Sequence, residues 1–381
     1  MLERLKKIFG LEAAPPPQPP APVSAPVPVK PPPSPPQPKT IWRLIDDNKP
    51  ERVAEAIAAN PALLNETKKF TISKDDLTLT PVQYAAHMGR KKVIAVLHKA
   101  GADIDSAGDK GFTPLHLAAR FRNGADALEY LLAESKTSVD ARTDAGVTPL
   151  IEAARQGNRS SVRALLARNA NMEITAPHAM PAIVAAAAAG HTDLVEELLK
   201  AGAAIDAKNN AGRTALWYAA YNNQPRLATS LLAQGADTGI ADAHGTTLLM
   251  GAARNGNIDL AKDLLEAGQD INRRDGNGCT ALHYTCFAEA GLRVKQVAEF
   301  LISKGAYIDT VDKQGDTPLD RAQRIKSVWQ AAMTDLFQTK MADPASARDP
   351  SYLAPFTEGS EQRVTTMKAL KFRPPANEPT F

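Results

Sequence analysis

One group of residues in this sequence has the chemistry of a metal site: Cys279, His283 and Cys286. Their spacings of four and three residues would place a histidine and a cysteine on one face of a helix, with ligand types that structural zinc uses. A closed zinc site needs four ligands, and a fourth is missing. All three residues also occupy regular positions of an internal repeat, so we predict neither a metal nor another cofactor.

Motifs for nucleophilic or phosphate chemistry do not stand in a suitable context. None of GxSxG, HExxH, the P-loop or GxGxxG lies between a strand-like and a helix-like segment. We therefore expect no catalytic residues. An enzyme that uses the C-terminal tail or an alanine-rich unit is one hypothesis, but no pattern of residues supports it.

The internal repeat is anchored by a threonine, or in one unit a proline, that precedes a short apolar helix. Successive anchors are 33, 35, 33, 33, 33, 33 and 37 residues apart. A period in this range indicates a solenoid of stacked units, because a unit of this size cannot bury a core alone. The anchors are Thr80, Thr113, Thr148, Pro181, Thr214, Thr247, Thr280 and Thr317.

Each unit has the pattern of two antiparallel helices. Thr113 is suited to be an N-cap, and Pro114 follows at the first helical position, where a missing N–H costs nothing. Paired small residues such as Ala118 and Ala119 allow neighbouring helices to approach. The second helix ends in Leu-Leu and a glycine at the left-handed capping position. These glycines are Gly101, Gly202, Gly235, Gly268 and Gly305.

The segments TPLHLAA from Thr113 and TPLIEAA from Thr148 resemble the ankyrin repeat, and TALWYAA, TLLMGAA and TALHYTC support the match. The resemblance covers about residues 41–325. It implies an all-α ankyrin-repeat solenoid of stacked helix pairs with loop or hairpin tips. It also implies that His116 and His283 tie neighbouring loops by hydrogen bonds, as structural histidines.

Four regions follow from these patterns. Ile41–Asn65 lacks the Thr-Pro start and is expected to form an N-terminal capping unit. Ile325, Val328, Trp329, Ala332 and Leu336 predict an amphipathic capping helix over the last full unit. The tail is expected to be extended or to fold back on the last repeat. The predicted regions are 1–14, a short basic helix; 15–40, a proline-rich linker; 41–340, the capping unit and about eight repeats; and 341–381, the tail.

The N-terminal helix is predicted from a basic amphipathic pattern in which Leu2, Leu5, Ile8 and Phe9 share one face and charged residues such as Lys6 and Lys7 lie outside it. Such a helix suits an anionic membrane surface, as a weak peripheral contact, or a groove on a partner protein. An unstructured terminus is the third alternative. Fourteen of the 29 prolines fall between Pro15 and Pro38, which predicts a polyproline II spacer.

Composition restricts the partners and the compartment. The net charge of +3 is carried by residues 1–40, so the repeat region is balanced and gives no electrostatic footprint for nucleic acid. Two cysteines are too few for a disulfide framework. No signal peptide and no membrane-spanning stretch is expected. These features favour a cytoplasmic location, peripheral at the inner face of a membrane if residues 1–14 bind there, with secretion into a host cell as an alternative.

The resemblance implies where a partner binds. In ankyrin repeats the two residues after the paired alanines and the loop tip before the anchor commonly line the concave face. We expect a non-catalytic scaffold or adaptor that binds an unidentified protein there, and no small-molecule substrate. The alternative is a secreted bacterial effector or immunity-type inhibitor acting on a protein target. The candidate residues are Phe112, Arg120, Phe121, Arg155, Gln156, Arg213, Tyr221, Asn222, Arg254, Asn255 and Phe287.

Overall fold

The computed structural model describes residues 40–72, 75–176, 180–287, 291–324, 330–343 and 345–350. The predicted N-terminal helix and linker, and the tail beyond residue 350, lie outside these ranges. Within them, the chain forms nine consecutive helix pairs, one before the anchor Thr80 and one after each of the eight anchors.

The element bounds follow the repeat. The first helices of the pairs are α1 (Ile41–Asp46), α3 (Pro81–His87), α5 (Pro114–Arg120), α7 (Pro149–Gln156), α9 (Ala182–Ala188), α11 (Ala215–Tyr221), α13 (Leu248–Asn255), α15 (Ala281–Tyr284) and α17 (Pro318–Arg324). The second helices are α2 (Pro50–Ala59), α4 (Lys91–Lys99), α6 (Ala125–Glu134), α8 (Arg159–Leu166), α10 (Thr192–Lys200), α12 (Pro225–Ala233), α14 (Ile258–Glu266), α16 (Leu292–Ser303) and α18 (Gln330–Ala342). Short 3-10 helices span Pro61–Asn65 and Asp109–Gly111, and two strands span Lys68–Ile72 (β1) and Asp75–Leu79 (β2).

The anchor residues start the first helices by capping them. Thr148 Oγ1 accepts the backbone N–H of Ile151 at 3.3 Å, which satisfies a donor that the helix leaves free. Pro181 provides no such cap, and α9 instead buries Ala182–Ala187 almost completely. The position of a first helix is thus set by the anchor, and its packing can replace the cap.

Neighbouring first helices approach closely because their facing residues are small. Ala153 and Ala154 are fully buried, and each first helix from α3 to α17 packs against the next. At α13, a Cβ added to Gly251 would lie only 3.3 Å from backbone atoms of Ala220 and Tyr221. Larger side chains at these positions would separate the units.

Leucine pairs and the glycines that follow them close several of the units. Leu198 and Leu231, each the first leucine of its pair, are fully buried, whereas the second leucine is only partly buried. Gly202 has φ of 97°, in the left-handed region that an L side chain rarely adopts. All five predicted capping glycines have a positive φ: Gly101, Gly202, Gly235, Gly268 and Gly305.

A β-hairpin between the capping unit and the first repeat was not predicted by the sequence patterns. β1 and β2 pair antiparallel, with Phe70 opposite Leu77. Phe70 stacks on Tyr84 of α3 at 4.2 Å between ring centroids, and Trp42 of α1 packs against both rings. The N–H of Thr78 donates to the Asp109 carboxylate at 2.7 Å. The hairpin therefore joins the capping unit to the first two repeats.

Acidic side chains join the loops that follow the second helices. Asp140 Oδ1 accepts the N–H of Asn171 at 2.9 Å, and Asp206 Oδ1 accepts that of Asp237 at 3.0 Å. Each bond connects one unit to the next, and each satisfies a loop N–H that the helices do not use. The stack is thus held by polar contacts between loops as well as by its apolar core.

The beginning of the predicted tail makes the same kind of contact between loops. Residues 345–350 return to the last repeat, where the N–H of Asp349 donates to Asp309 Oδ1 at 2.8 Å. The Asp349 carboxylate pairs with Arg274 and accepts a hydrogen bond from Thr310 Oγ1 at 3.1 Å. For these residues, the structure therefore favours the folded-back alternative over an extended tail.

Helix α18 occupies the place of the expected capping helix. It buries Met333, Leu336 and Phe337 and extends to Ala342. Leu336 and the partly buried Ala332 thus lie on the helix as predicted, whereas Ile325, Val328 and Trp329 lie outside the residues that the structure describes.

Leu198→Ala should destabilise the protein by about 2–5 kcal/mol, because it removes a fully buried side chain from a close-packed interface. Denaturant unfolding measures the change. The matched control is Leu292→Ala, whose side chain is 55% exposed and should alter stability by about 0.5 kcal/mol or less. Equal effects of the two substitutions would contradict the proposed layer contact.

Asp349→Ala should loosen the C-terminal units, because Arg274 and Thr310 lose a buried charged partner, at a cost of about 1–3 kcal/mol. Hydrogen exchange of residues 306–324 should become faster. Asp335→Ala, on the exposed side of α18, provides the control. If the two variants exchange alike, residues 345–350 do not stabilise the last repeat.

Candidate protein-binding surface

The last turns of the first helices and the loop tips before the anchors lie on one surface, which we call the inner face. The contact between them is direct in the unit of α11. The Arg213 guanidinium, at the loop tip, lies 4.2 Å from the Trp217 ring centroid, and Trp217 stacks on Tyr221 at 4.6 Å. Arg254, from the next unit, lies 4.7 Å from the Tyr221 ring centroid and donates to its hydroxyl. Three of the predicted residues thus share one column of stacked side chains.

The placement of two candidate residues on the surface was wrong. Phe112 is 6% exposed and Arg120 is 7% exposed. The Arg120 guanidinium lies over the Phe112 ring at 5.8 Å and donates to the Ile72 carbonyl at 3.4 Å. The hairpin, which the sequence analysis missed, thus helps to cover a residue that would otherwise face solvent. Phe121 is partly exposed beside His87, at 6.2 Å between ring centroids.

A fully buried carboxylate organises the centre of the inner face. Glu152 of α7 is 0% exposed and pairs with Arg155, one turn later on the same helix. Its other oxygen lies 3.9 Å from Nε of Arg120 in the preceding unit. The Arg155 side chain is 47% exposed. Glu152 therefore holds one arginine inside the stack and presents another to solvent.

The candidate amides have different environments. Asn255 donates to the carbonyls of Ala220 and Tyr221 at 2.9 and 2.7 Å, so its donors are used within the stack. Asn222 is exposed, although its amide also donates to Ala188 at 3.3 Å. Gln156 is partly exposed. Asn255 therefore acts first as a link between α11 and α13.

The C-terminal end of the inner face carries an exposed aromatic ring. Phe287 is 45% exposed, and the Arg321 guanidinium lies 4.4 Å from its centroid. Arg321 is itself held by the fully buried carboxylate of Asp312. Two residues of this end were not predicted from the sequence: Arg321 itself and Arg324, which pairs with Asp316 and lies seven residues after its anchor. Arg324 occupies the same position of its unit as Arg155 and Arg254, so the repeat spacing points to it.

The histidines at the fourth position of the motif tie neighbouring loops, as the resemblance implied. His116 Nδ1 accepts the N–H of Thr113, and its Nε2 lies 3.1 Å from the Val147 carbonyl. His283 has the same arrangement with Thr280 and the Asp316 carbonyl. Burial lowers the pKa of His283 to about 4 and also lowers the pKa of His116. Both rings are therefore neutral near pH 7.

The cysteines of the considered metal cluster have separate partners. Cys279 Sγ contacts Arg321 at 3.4 Å, and Cys286 Sγ contacts the Pro318 carbonyl at 3.4 Å. Burial raises the pKa of each thiol to about 12, which disfavours the thiolate that zinc requires. Across the described ranges, no three His, Cys, Asp or Glu side chains are grouped to hold a metal ion.

His283 should make stability depend on pH. Its folded-state pKa of about 4 lies below the usual 6.5, so the unfolded chain binds a proton more readily. The contribution is complete above about pH 6.5 and is lost as pH falls toward 4, by about 1.4 kcal/mol per unit. His283→Gln should reduce this dependence by the share of His283, while the buried His116 keeps its own. Glutamine fits this position of the motif, because Gln83 accepts the Thr80 N–H and donates to a loop carbonyl, that of Ser106. Denaturant unfolding between pH 7 and 4 tests this, and an unchanged pH profile in the variant would contradict it.

The architecture and its surface define a class of protein, the helical repeat scaffold, in which stacked helix pairs display variable side chains along one face. The family model of ankyrin repeats in three copies matches residues 56–143, 84–177, 150–242, 183–275 and 249–329. The chain belongs to the ankyrin-repeat family.

One solved structure gives the scale of the similarity. The crystal structure of the human ASB11 ankyrin repeat domain is 26% identical over 59% of this chain and 98% of that chain, with a TM-score of 0.51. A search of curated proteins found no match. Ankyrin repeats are a general protein-interaction module, and proteins built from them are generally non-catalytic. None of the described helices is long and apolar enough to cross a membrane.

Proposed function

We propose that this protein is a non-catalytic scaffold or adaptor that binds a protein partner on the inner face, the concave side in an ankyrin stack. The observation that carries the proposal is the in-phase row formed by Arg155, Tyr221, Arg254 and Phe287. These residues lie seven positions after the anchors Thr148, Thr214, Thr247 and Thr280, and each of them is at least partly exposed. Arginine and aromatic side chains are enriched at the energetic centres of protein interfaces.

The contacts of these residues support the same interpretation. Tyr221 is held between Trp217 and Arg254, and Arg155 is held by Glu152. Side chains that are already fixed lose less conformational entropy when a partner binds, so more of the contact energy appears as affinity. A row of fixed, partly exposed side chains across several units is suited to binding an extended surface of another protein.

Tyr221→Ala and Phe287→Ala should each weaken binding of the partner by about 1–3 kcal/mol, since truncation removes contact area from the centre of the surface. Both variants should remain folded. The measurement compares proteins captured by full-length wild type and by each variant with quantitative mass spectrometry. Titration of the purified partner then gives the dissociation constants.

The control replaces a matched pair of aromatic residues on the second helices. Tyr130→Ala in α6 and Phe300→Ala in α16 remove similar, partly exposed rings from second helices, outside the inner face. We expect these variants to bind the partner normally. Loss of the partner in the control pair, with normal binding by the Tyr221 and Phe287 variants, would place the interface elsewhere.

A further inference from the structure

The first helices of the repeats carry more cations than acids. Helices α3, α5, α7, α9, α11, α13, α15 and α17 together contain five arginines and two acidic residues. The acids are Glu152, which is fully buried, and Asp320, which caps α17 by accepting from Thr317. The arginines are Arg120, Arg155, Arg254, Arg321 and Arg324.

The carboxylates that hold the inner-face arginines lie beneath them. The side chains of Glu152 and Asp242 are 1% and 0% exposed. Their partners Arg155 and Arg213 are 47% and 26% exposed. An approaching molecule therefore meets guanidinium N–H groups, whereas the carboxylates that orient them are out of reach.

The middle of the face is not neutralised by its own acids. The first helices α5 to α13 contain three arginines and a single acidic residue, Glu152. Arg254 is stacked on Tyr221. Guanidinium groups fixed in this way match carboxylates in two-point hydrogen bonds, which are stronger than neutral ones.

The spacing of the cations sets the length of the ligand. Arg155 and Arg254 belong to units three layers apart, and layers of about 10 Å place them roughly 30 Å from one another. An extended chain of about nine residues covers that distance. Between them, Ala188 is partly exposed and Ala189 is exposed. These short side chains leave room for a bound chain on this part of the inner face.

We propose that the inner face binds an extended acidic segment of a partner protein, with carboxylates on Arg155 and Arg254 and the intervening chain over Ala188 and Tyr221. This inference rests on the proposed function and specifies the chemistry of its partner. Nucleic acid is the competing polyanion. It is less suited, because residues 41–340 carry as many acidic as basic residues and so lack the excess charge that binds phosphate backbones.

The test uses a fluorescein-labelled poly-L-glutamate of about 15 residues, titrated with the full-length chain at low salt and followed by fluorescence anisotropy. Arg155→Ala combined with Arg254→Ala should weaken binding at least tenfold. The matched control, Arg226→Ala combined with Arg293→Ala, removes the same charge from exposed positions on α12 and α16 and should change binding less than twofold. If the double variant fails to fold, Arg254→Ala alone provides the test, because it leaves the pair of Glu152 and Arg155 intact.

Three results would overturn the inference: no binding of poly-L-glutamate, an equal loss in both double variants, or tighter binding of a single-stranded RNA of similar length. Its failure can be told apart from failure of the proposed function. If Tyr221→Ala and Phe287→Ala lose the partner while poly-L-glutamate does not bind, the proposed protein-binding face is supported and the proposal of an acidic ligand is wrong. If poly-L-glutamate binds as expected while those variants keep the partner, the proposed interface is wrong.

Discussion

The close approach of neighbouring first helices is the constraint on which the rest of the structure depends. A single unit of about 33 residues cannot bury enough surface to fold, so its stability comes from the adjacent units. The approach requires alanine or glycine at the facing positions, such as Ala153, Ala154 and Gly251. These positions are fixed by packing, whereas the last turn of each first helix and the loop tips, which form the inner face, are less constrained by it.

Polar groups buried between units determine how the units are oriented. His116 and Trp217 occupy the same position of the motif, and both reach a loop carbonyl of the following unit, at 3.1 and 3.3 Å. Outside the helices, acidic side chains such as Asp140 bind loop N–H groups of the next unit. Asp349 makes the last of these contacts in the described residues, and there the segment 345–350 covers part of the C-terminal unit. The fold and its end are thus stabilised by the same kind of contact.

The same buried polar contacts shape the inner face, the surface proposed to bind a partner. Glu152 fixes Arg155, and Asp242 fixes Arg213, so the groups that a partner would touch are held by groups that it cannot reach. Breaking such a pair on one side leaves an uncompensated buried charge, which is costly. The inner face therefore combines two roles, since some of its arginines stabilise the stack and others are available for binding.

The sequence determined the repeat, the capping threonines, the buried leucines and the left-handed glycines, because these depend on local conformation and on a period that recurs along the chain. The β-hairpin was not predicted, although Phe70, Ile72, Leu77 and Leu79 alternate with polar residues, because this short alternation has a period of two and lies outside the 33-residue repeat of helices. Which motif positions reach solvent was decided only by tertiary structure. Arg120 and Arg155 are equivalent in sequence, yet the side chain of the first is 5% exposed and that of the second is 47% exposed. The difference arises because Arg120 has Phe112, Glu152 and the end of β1 around it, and no local pattern specifies which distant residues will cover a given position.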